Sequence, residues 1–242
     1  MNAAVWIAGG QDYAQDAARS AESVRAQMPY LERLLVTDAP STPGVFTRAI
    51  SMPQRTAHAP WYLQSCRAYV QAYKALDGYD KLIFLDTDTY CAFPFYDLME
   101  VLDRYDIVAT HGAARCTAPT VNPIPDAFPE LEIGLLGVRK NDRSELLFDE
   151  WLTLYEEHPG VYGNNDQGPF REALWNNQDV RLYVVAAEYH CRWPFGAQVC
   201  GKVRLLHSRN GDQAAMAAVF NQHGLMRLVC PTGITWSSKL PD

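Results

Sequence analysis

The chain's apolar positions follow two periods, and the switch between them predicts its elements. Ala3 to Ala8 is a short apolar run of strand length, broken by Gly9 and Gly10. From Asp12 to Gln27 the apolar positions fall at Tyr13, Ala17, Ala21 and Val24, with Met28 beyond. That spacing of three and four predicts a helix, which Pro29 ends. Leu34 to Thr37 follows as a strand, Leu63 to Leu76 as a helix closed by Gly78, and Lys81 to Leu85 as a strand. Leu82-Ile83-Phe84-Leu85 is apolar at every position, the pattern of a central parallel strand covered on both faces. Further strands are predicted at Asp106–Ala109, Ile133–Val138, Arg181–Val185 and Val203–Leu206. Further helices are predicted at Asp142–Glu157, from Asn164-Asn165-Asp166-Gln167 through Trp175, and at Gly211–Gln222. Alternating strands and helices predict an α/β fold with a twisted, mainly parallel sheet flanked by helices. Arg115 to Pro129, with prolines at 119, 123, 125 and 129, reads as a long loop of the kind that carries function.

Composition narrows the class. The chain has 242 residues, 48 % hydrophobic and 20 % charged, with a formal net charge of −7. That describes a globular protein and excludes a nucleic-acid wrapper, which needs a basic footprint. No internal repeat or linker divides the chain, so one domain over 1–242 is the expectation. Within it, residues 3–110 would form one half and 111–242 the other. No apolar run approaches the roughly 18–20 residues of a membrane span. The start lacks a basic segment followed by a long apolar run, and the six cysteines show no CxxC pair. A reduced, cytoplasmic protein is therefore expected.

The chemistry concentrates after the apolar strand, at Asp86-Thr87-Asp88. Residues two apart on an extended chain point the same way, so both carboxylates face one side. The carboxyl end of a central strand is where open α/β sheets bind ligands. A divalent cation would relieve the repulsion between the two carboxylates and could engage phosphate oxygens. Ordinary turn aspartates are the alternative. An EF-hand is excluded, because the sixth position from Asp86 is Cys91 and not glycine. A haloacid-dehalogenase-type phosphatase fits poorly, because the motif comes a third of the way along the chain and its fifth position is Tyr90. The third candidate is a nucleotide-sugar transferase, where such a pair holds Mn²⁺ or Mg²⁺ on a diphosphate.

Tyr79-Asp80-Lys81-Leu82-Ile83-Phe84-Leu85-Asp86-Thr87-Asp88-Thr89 resembles the "YDKvvyLDaDt" segment of GT-A-fold glycosyltransferases. The nearest are the retaining, family 8-like enzymes, glycogenin-like and bacterial galactosyltransferase-like. Ile133 to Val138 resembles their "nsGvmvf" strand, Asn165-Asp166-Gln167 their "DQ" motif, Tyr189-His190 their "yN", and Leu206-His207 their "iiHf". The matches run in family order over roughly residues 3–210. Three departures stand out. Glu132-Ile133-Gly134 replaces Asn-Ser-Gly, Arg67 replaces a lysine, and the family's tail after the histidine is replaced by Ser208-Arg209-Asn210-Gly211.

The resemblance implies a GT-A fold and transfer of a hexose from a nucleoside-diphosphate sugar, UDP-linked, to a hydroxyl of a glycan, glycolipid or protein. Retention at the sugar is implied too. It assigns Mn²⁺ or Mg²⁺ to Asp86, Asp88 and His207, and donor contacts to Ala8, Tyr13, Arg67 and Thr87. Asp166 and Gln167 would stand at the donor sugar, next to the reacting carbon. Each has a plainer alternative: His207 a strand-end histidine, Asp166 a helix N-cap, Tyr13 core packing, Arg67 and Lys74 a solvated helix face. Glu132 is a further carboxylate that could sit near the anomeric carbon. His190, Cys191 and Cys200 with His207 match no closed zinc site. Acceptor pockets are expected from residues 111–130 and 186–202. A metal-dependent phosphatase or nucleotidyltransferase, or a non-catalytic nucleotide-sugar binding protein, remain the alternative functions.

Overall fold

A computed structural model describes residues 1–52, 60–112, 118–209, 211–222 and 224–238. The first half holds β1 (Asn2–Ala8), α1 (Gly10–Gln27), β2 (Glu32–Thr37), β3 (Arg48–Ser51), α2 (Trp61–Ala75), β4 (Lys81–Leu85), β5 (Thr89–Cys91), α3 (Asp97–Val101) and β6 (Ile107–His111). The second holds β7 (Leu131–Arg139), α4 (Asp142–Glu157), α5 (Pro159–Tyr162), α6 (Gln167–Asn176), β8 (Leu182–Val184), β9 (Ala197–Val199), β10 (Leu205–His207), α7 (Gln213–Phe220), β11 (Arg227–Cys230) and β12 (Gly233–Ser237).

Seven strands form the main sheet in the order β3-β2-β1-β4-β7-β6-β8, so β4 lies at its centre. The sheet is mostly parallel, as the alternating pattern predicts, but β7 runs antiparallel to both β4 and β6. The fully apolar β4 is therefore parallel to β1 on one side and antiparallel on the other. Burial on both faces, not strand direction, is what its composition encodes. Leu82 and Phe84 pack on one face with Tyr69 and Tyr73 of α2, Phe148 and Trp151 of α4 and Phe170 of α6. Ile83 and Leu85 pack on the other with Ala14, Ala17, Ala21 and Val24 of α1.

Two smaller sheets complete the described residues: β10 with β5, and β9-β11-β12. The expected strand at Val203–Leu206 shifts to Leu205–His207, because it pairs with β5 and not with the main sheet. The β11–β12 hairpin, β3 and the short helices α3 and α5 are not evident from periodicity, being too short for a period to repeat. The expected loop at 115–129 contains no helix or strand from residue 118 onward, while residues 115–117 lie outside the described residues. Cys66, Cys91 and Cys191 are buried, and burial pushes the Cys91 and Cys191 thiols up to about 12. Cys116 lies outside the described residues. Among the described residues no helix is long and apolar enough to cross a membrane.

Asp106, at the start of β6, is wholly buried. It accepts hydrogen bonds from Arg143 Nε at 2.7 Å, Asn141 Nδ2 at 2.8 Å and the Arg181 backbone N–H at 2.9 Å. Burial alone would raise this carboxyl, but these donors hold it well below the usual carboxylate range. It ties α4 and the strand leading into β8 to the sheet. Asp106→Ala is expected to cost about 3 kcal/mol in urea unfolding at pH 7, because two arginines lose their shared buried partner. The group stabilises the fold fully above its unfolded value and progressively less below it. The gap between variant and wild type should therefore narrow from about pH 4 downward.

Candidate functional site

The turn Asp86-Thr87-Asp88 leaves the carboxyl end of β4 and enters β5, and buried hydroxyls anchor it. Thr89 Oγ1 donates to the Asp86 carbonyl at 2.8 Å and lies 2.7 Å from Ser20 Oγ of α1. Ser23 Oγ of the same helix accepts from the Cys91 backbone N–H at 2.8 Å. On the other side the Asp86 N–H donates to the Gly134 carbonyl of β7 at 3.0 Å. These bonds hold both carboxylates on a floor of backbone and small side chains.

His207 reaches the same place by strand register. Antiparallel pairing of β10 with β5 sets His207 opposite Thr89, one residue beyond Asp88. Its Nε2 lies 3.4 Å from Asp86 Oδ2 and 3.2 Å from Asp88 Oδ1. One donor atom from each of the three residues falls within 4.8 Å of the others. An octahedral cation with bonds of about 2.1 Å holds neighbouring donors about 3 Å apart, close to the two separations from His207 Nε2. Two carboxylates and an imidazole suit Mn²⁺, while Mg²⁺ prefers oxygen alone. Gly134 forms the wall behind them. A Cβ there would meet His207 Cε1 at 2.7 Å, Asp86 Oδ2 at 2.8 Å and His190 Nε2 at 2.8 Å.

Charge is unevenly shared in this cluster. Burial raises the Asp86 carboxyl, helped by Asp88 and opposed by His207. Burial works the same way on Asp88, but the His207 hydrogen bond and Arg209 outweigh it and lower this carboxyl. For His207 burial opposes the charged form, yet the hydrogen bond to Asp88 and the two carboxylates raise it above its ordinary value.

The cluster opens into a cavity of about 480 Å³, the size of a small-molecule site. Tyr13, Thr87, Asp166 and Gln167 line it together with Asp86, Asp88 and His207. Tyr13 stacks on Trp61 of α2 with ring centroids 6.2 Å apart. Trp61 presses against the backbone after β1, where a Cβ on Gly9 would meet its ring at 2.3 Å. The Arg209 guanidinium lies 5.0 Å from the Tyr13 ring centre, and its Nε lies 3.5 Å from Asp88 Oδ2.

Two expected donor contacts lie elsewhere. The Ala8 side chain is buried with Ala14 and Ala17 of α1, and it is Ile7 that reaches the cavity. Arg67 does not line the cavity. It faces α4, where its Nε lies 2.7 Å from Glu156 Oε1, and Lys74 pairs with Asp149 on the same helix. Both cations lie on one helical face, and that face packs beside the acidic side of α4.

Asp166 stands at the N-terminus of α6, but its side chain makes no cap. Asn165 Oδ1 accepts from the Gln167 and Gly168 N–H groups at 2.8 and 3.1 Å in its place. The Asp166 carboxylate is thus left to the cavity. Burial, with Asp86 adding to it, pushes Asp166 up to about 8. A carboxyl raised in this way costs stability as pH rises from its unfolded value near 4 toward about 8. In metal-free protein Asp166→Asn should melt above wild type at pH 8, by about 2–4 °C for each kcal/mol of burial penalty removed, and together with it near pH 4. Equal melting at pH 8 would show that the burial penalty is absent.

Glu132 of β7, the further carboxylate noted in the sequence, is buried in the same wall. Arg192 Nη1 donates to both of its oxygens, at 3.0 and 2.9 Å, and Gln167 Nε2 donates to Oε1 at 3.1 Å. Glu132 and Arg192 also border a second cavity of about 320 Å³, lined by Thr110, Gly112, Ala186, His190 and Gln198 among others. The residues that sequence reasoning missed are Trp61, Arg192 and Arg209. Only Arg209 carried a local signal, being two positions from His207 and so on the same side of an extended chain.

By sequence, no family model and no curated protein matches the chain. Solved structures do match by shape. An active-site mutant of LgtC superposes with a TM-score of 0.61 at 15 % identity, covering 87 % of this chain and 88 % of that one. The galactosyltransferase LgtC in complex with donor and acceptor sugar analogs gives 0.55 at 15 %, over 78 % and 75 %. A glycosyltransferase involved in the glycosylation of the major capsid of PBCV-1 gives 0.54 at 14 %, over 89 % and 97 %. The chain has the GT-A fold of these proteins, as the order of its motifs implies.

Proposed function

We propose that this protein is a metal-dependent glycosyltransferase moving a hexose from a nucleoside-diphosphate sugar, UDP-linked, to a hydroxyl acceptor with retention. The observation that carries this reading is the convergence of Asp86, Asp88 and His207 on the floor of the cavity at the end of β4. Family-ordered motifs and the shared fold support it. These three residues would hold Mn²⁺ or Mg²⁺, which when bound stabilises negative charge on a departing diphosphate.

The chain's own groups divide the remaining work. Tyr13 and Trp61 offer an aromatic face to a nucleobase. Arg209 offers a guanidinium to phosphate oxygens beside Asp88, in the segment that replaces the family's tail. Asp166 and Gln167 stand at the sugar, where fixed hydrogen bonds orient the reacting carbon. Glu132 holds Gln167 in position and is itself neutralised by Arg192. The second cavity, across the Glu132–Arg192 pair, is the place for the acceptor hydroxyl. It draws on the chain segments from which acceptor contacts were expected.

Incubation with a panel of nucleotide sugars, with Mn²⁺ or with EDTA, tests this. The expected product is a nucleoside diphosphate, formed only with the cation. Release of inorganic phosphate or pyrophosphate instead would make the protein a phosphatase or nucleotidyltransferase. Tight binding of UDP with Mn²⁺ and no turnover of any donor would make it a binding protein.

A further inference from the structure

The mechanism above makes no use of His190, although it is one of the most buried polar groups near the site. It follows the short turn Ala187–Tyr189 and is drawn beside β10 by Cys191, whose N–H donates to the Leu205 carbonyl and whose carbonyl accepts from the His207 N–H. His190 Nε2 then lies 2.7 Å from His207 Nδ1, with both rings buried. His190 Nδ1 lies 3.3 Å from Thr110 Oγ1. Thr110, two imidazoles and two carboxylates thus form one line from the second cavity to the floor of the first.

A separation of 2.7 Å between two ring nitrogens requires one proton between them. A neutral imidazole that ligates a cation through Nε2 must carry its proton on Nδ1. His207 Nδ1–H would then donate to His190 Nε2, which must be bare, leaving the proton of His190 on Nδ1 toward Thr110. The opposite arrangement, with the proton on His190 Nε2, would put the His207 proton on Nε2 and aim it at the cation. Gly134 makes room for the pair, since both rings occupy the space that a Cβ would take.

Resting on the metal reading above, we propose that His190 is a positioning residue for that metal site. It accepts from His207 Nδ1–H, keeps the His207 Nε2 lone pair between Asp86 and Asp88, and so makes the site prefer cations that take a nitrogen ligand. Partners that orient a ligating histidine in this way are worth about 10- to 100-fold in metal affinity.

The test titrates metal-free protein with Mn²⁺, Co²⁺ and Mg²⁺ by calorimetry, for wild type, His190→Phe and His190→Gln. Phenylalanine keeps a buried ring without an acceptor, and should weaken Mn²⁺ and Co²⁺ by about 10- to 100-fold. Mg²⁺, which gains little from imidazole, should change by less than about threefold. The visible bands of bound Co²⁺ should shift with the altered nitrogen ligand. Glutamine, whose amide oxygen can accept from Nδ1–H, should recover most of the Mn²⁺ affinity. Nitrogen-15 spectra of wild type loaded with diamagnetic Zn²⁺ should show a bare Nε2 and a protonated Nδ1 on His190, a readout that needs no variant to fold. A protonated His190 Nε2, equal weakening of Mn²⁺ and Mg²⁺, or a glutamine variant no better than phenylalanine overturns the proposal. If wild type binds Mn²⁺ and His190→Phe binds it equally well, this inference alone falls. If wild type binds none of the three cations, with or without UDP, the metal reading falls and takes this one with it.

Discussion

Gly134→Ala is expected to lose divalent-cation binding altogether while the protein still folds. The methyl would arrive within 2.8 Å of His207 Cε1, Asp86 Oδ2 and His190 Nε2. None of these is the far end of a long flexible side chain. Asp86 is held by its backbone bond to β7 and the two histidines by the pairing of β10 and the Cys191 bridge, so the cluster must open. Overpacking of this kind costs about 1–3 kcal/mol, which should lower the melting temperature by several degrees. Gly137, on the same strand, gives the control. A Cβ there would meet Ile83, Val108 and Leu102 at 3.2, 3.2 and 3.4 Å, all of them apolar and remote from the site. Gly137→Ala should therefore cost stability and leave Mn²⁺ affinity at the wild-type level. Calorimetric titration and thermal melting of the two variants side by side separate the effects. If both lose metal equally, general loosening and not the crowded floor is the cause.

Asp88→Asn should reduce cation-dependent release of nucleoside diphosphate by about 10³-fold or more, since charge stabilisation at the leaving group is usually the largest single contribution. Asp86→Asn should do the same, because either change leaves the cation one carboxylate short. Their stabilities should part company. Burial disfavours the charge on Asp86, whereas His207 and Arg209 favour the charge on Asp88. In metal-free protein at neutral pH, Asp86→Asn should melt somewhat above wild type and Asp88→Asn somewhat below it. Donor hydrolysis with and without Mn²⁺, together with melting curves, checks both halves. Wild-type turnover in either variant would remove these carboxylates from the chemistry.

The parts of the molecule legible from sequence share a physical reason. Lys81–Leu85 and Asp142–Glu157 match their predicted limits because each carries its pattern over its full length and ends at a clear stop. The pair Asp86 and Asp88 was legible because a polar pair directly after a doubly buried strand has one place to go, the carboxyl end of the sheet. Asp166 was legible as a helix-terminal aspartate, but the absence of a cap from its own side chain was not. Asn165, its neighbour, makes the cap and leaves the Asp166 carboxylate facing the cavity. Arg67 went the other way: its helix was right, and the face it presents is claimed by Glu156.

By itself, then, the sequence determined the alternation of strands and helices, the doubly buried β4 and the two carboxylates at its end. These depend on residues close together along the chain, where periodicity and spacing act directly. Tertiary structure alone decided that β7 runs against its neighbours and that β10 leaves the main sheet to pair with β5. That pairing brings His207 to Asp88 across more than a hundred residues, and the Cys191 bridge brings His190 to His207. It also joins Glu132, Gln167 and Arg192 into one wall. Contacts of this kind are set by which strand edges meet and in what register, and a short polar stretch carries no local signal of its distant partner.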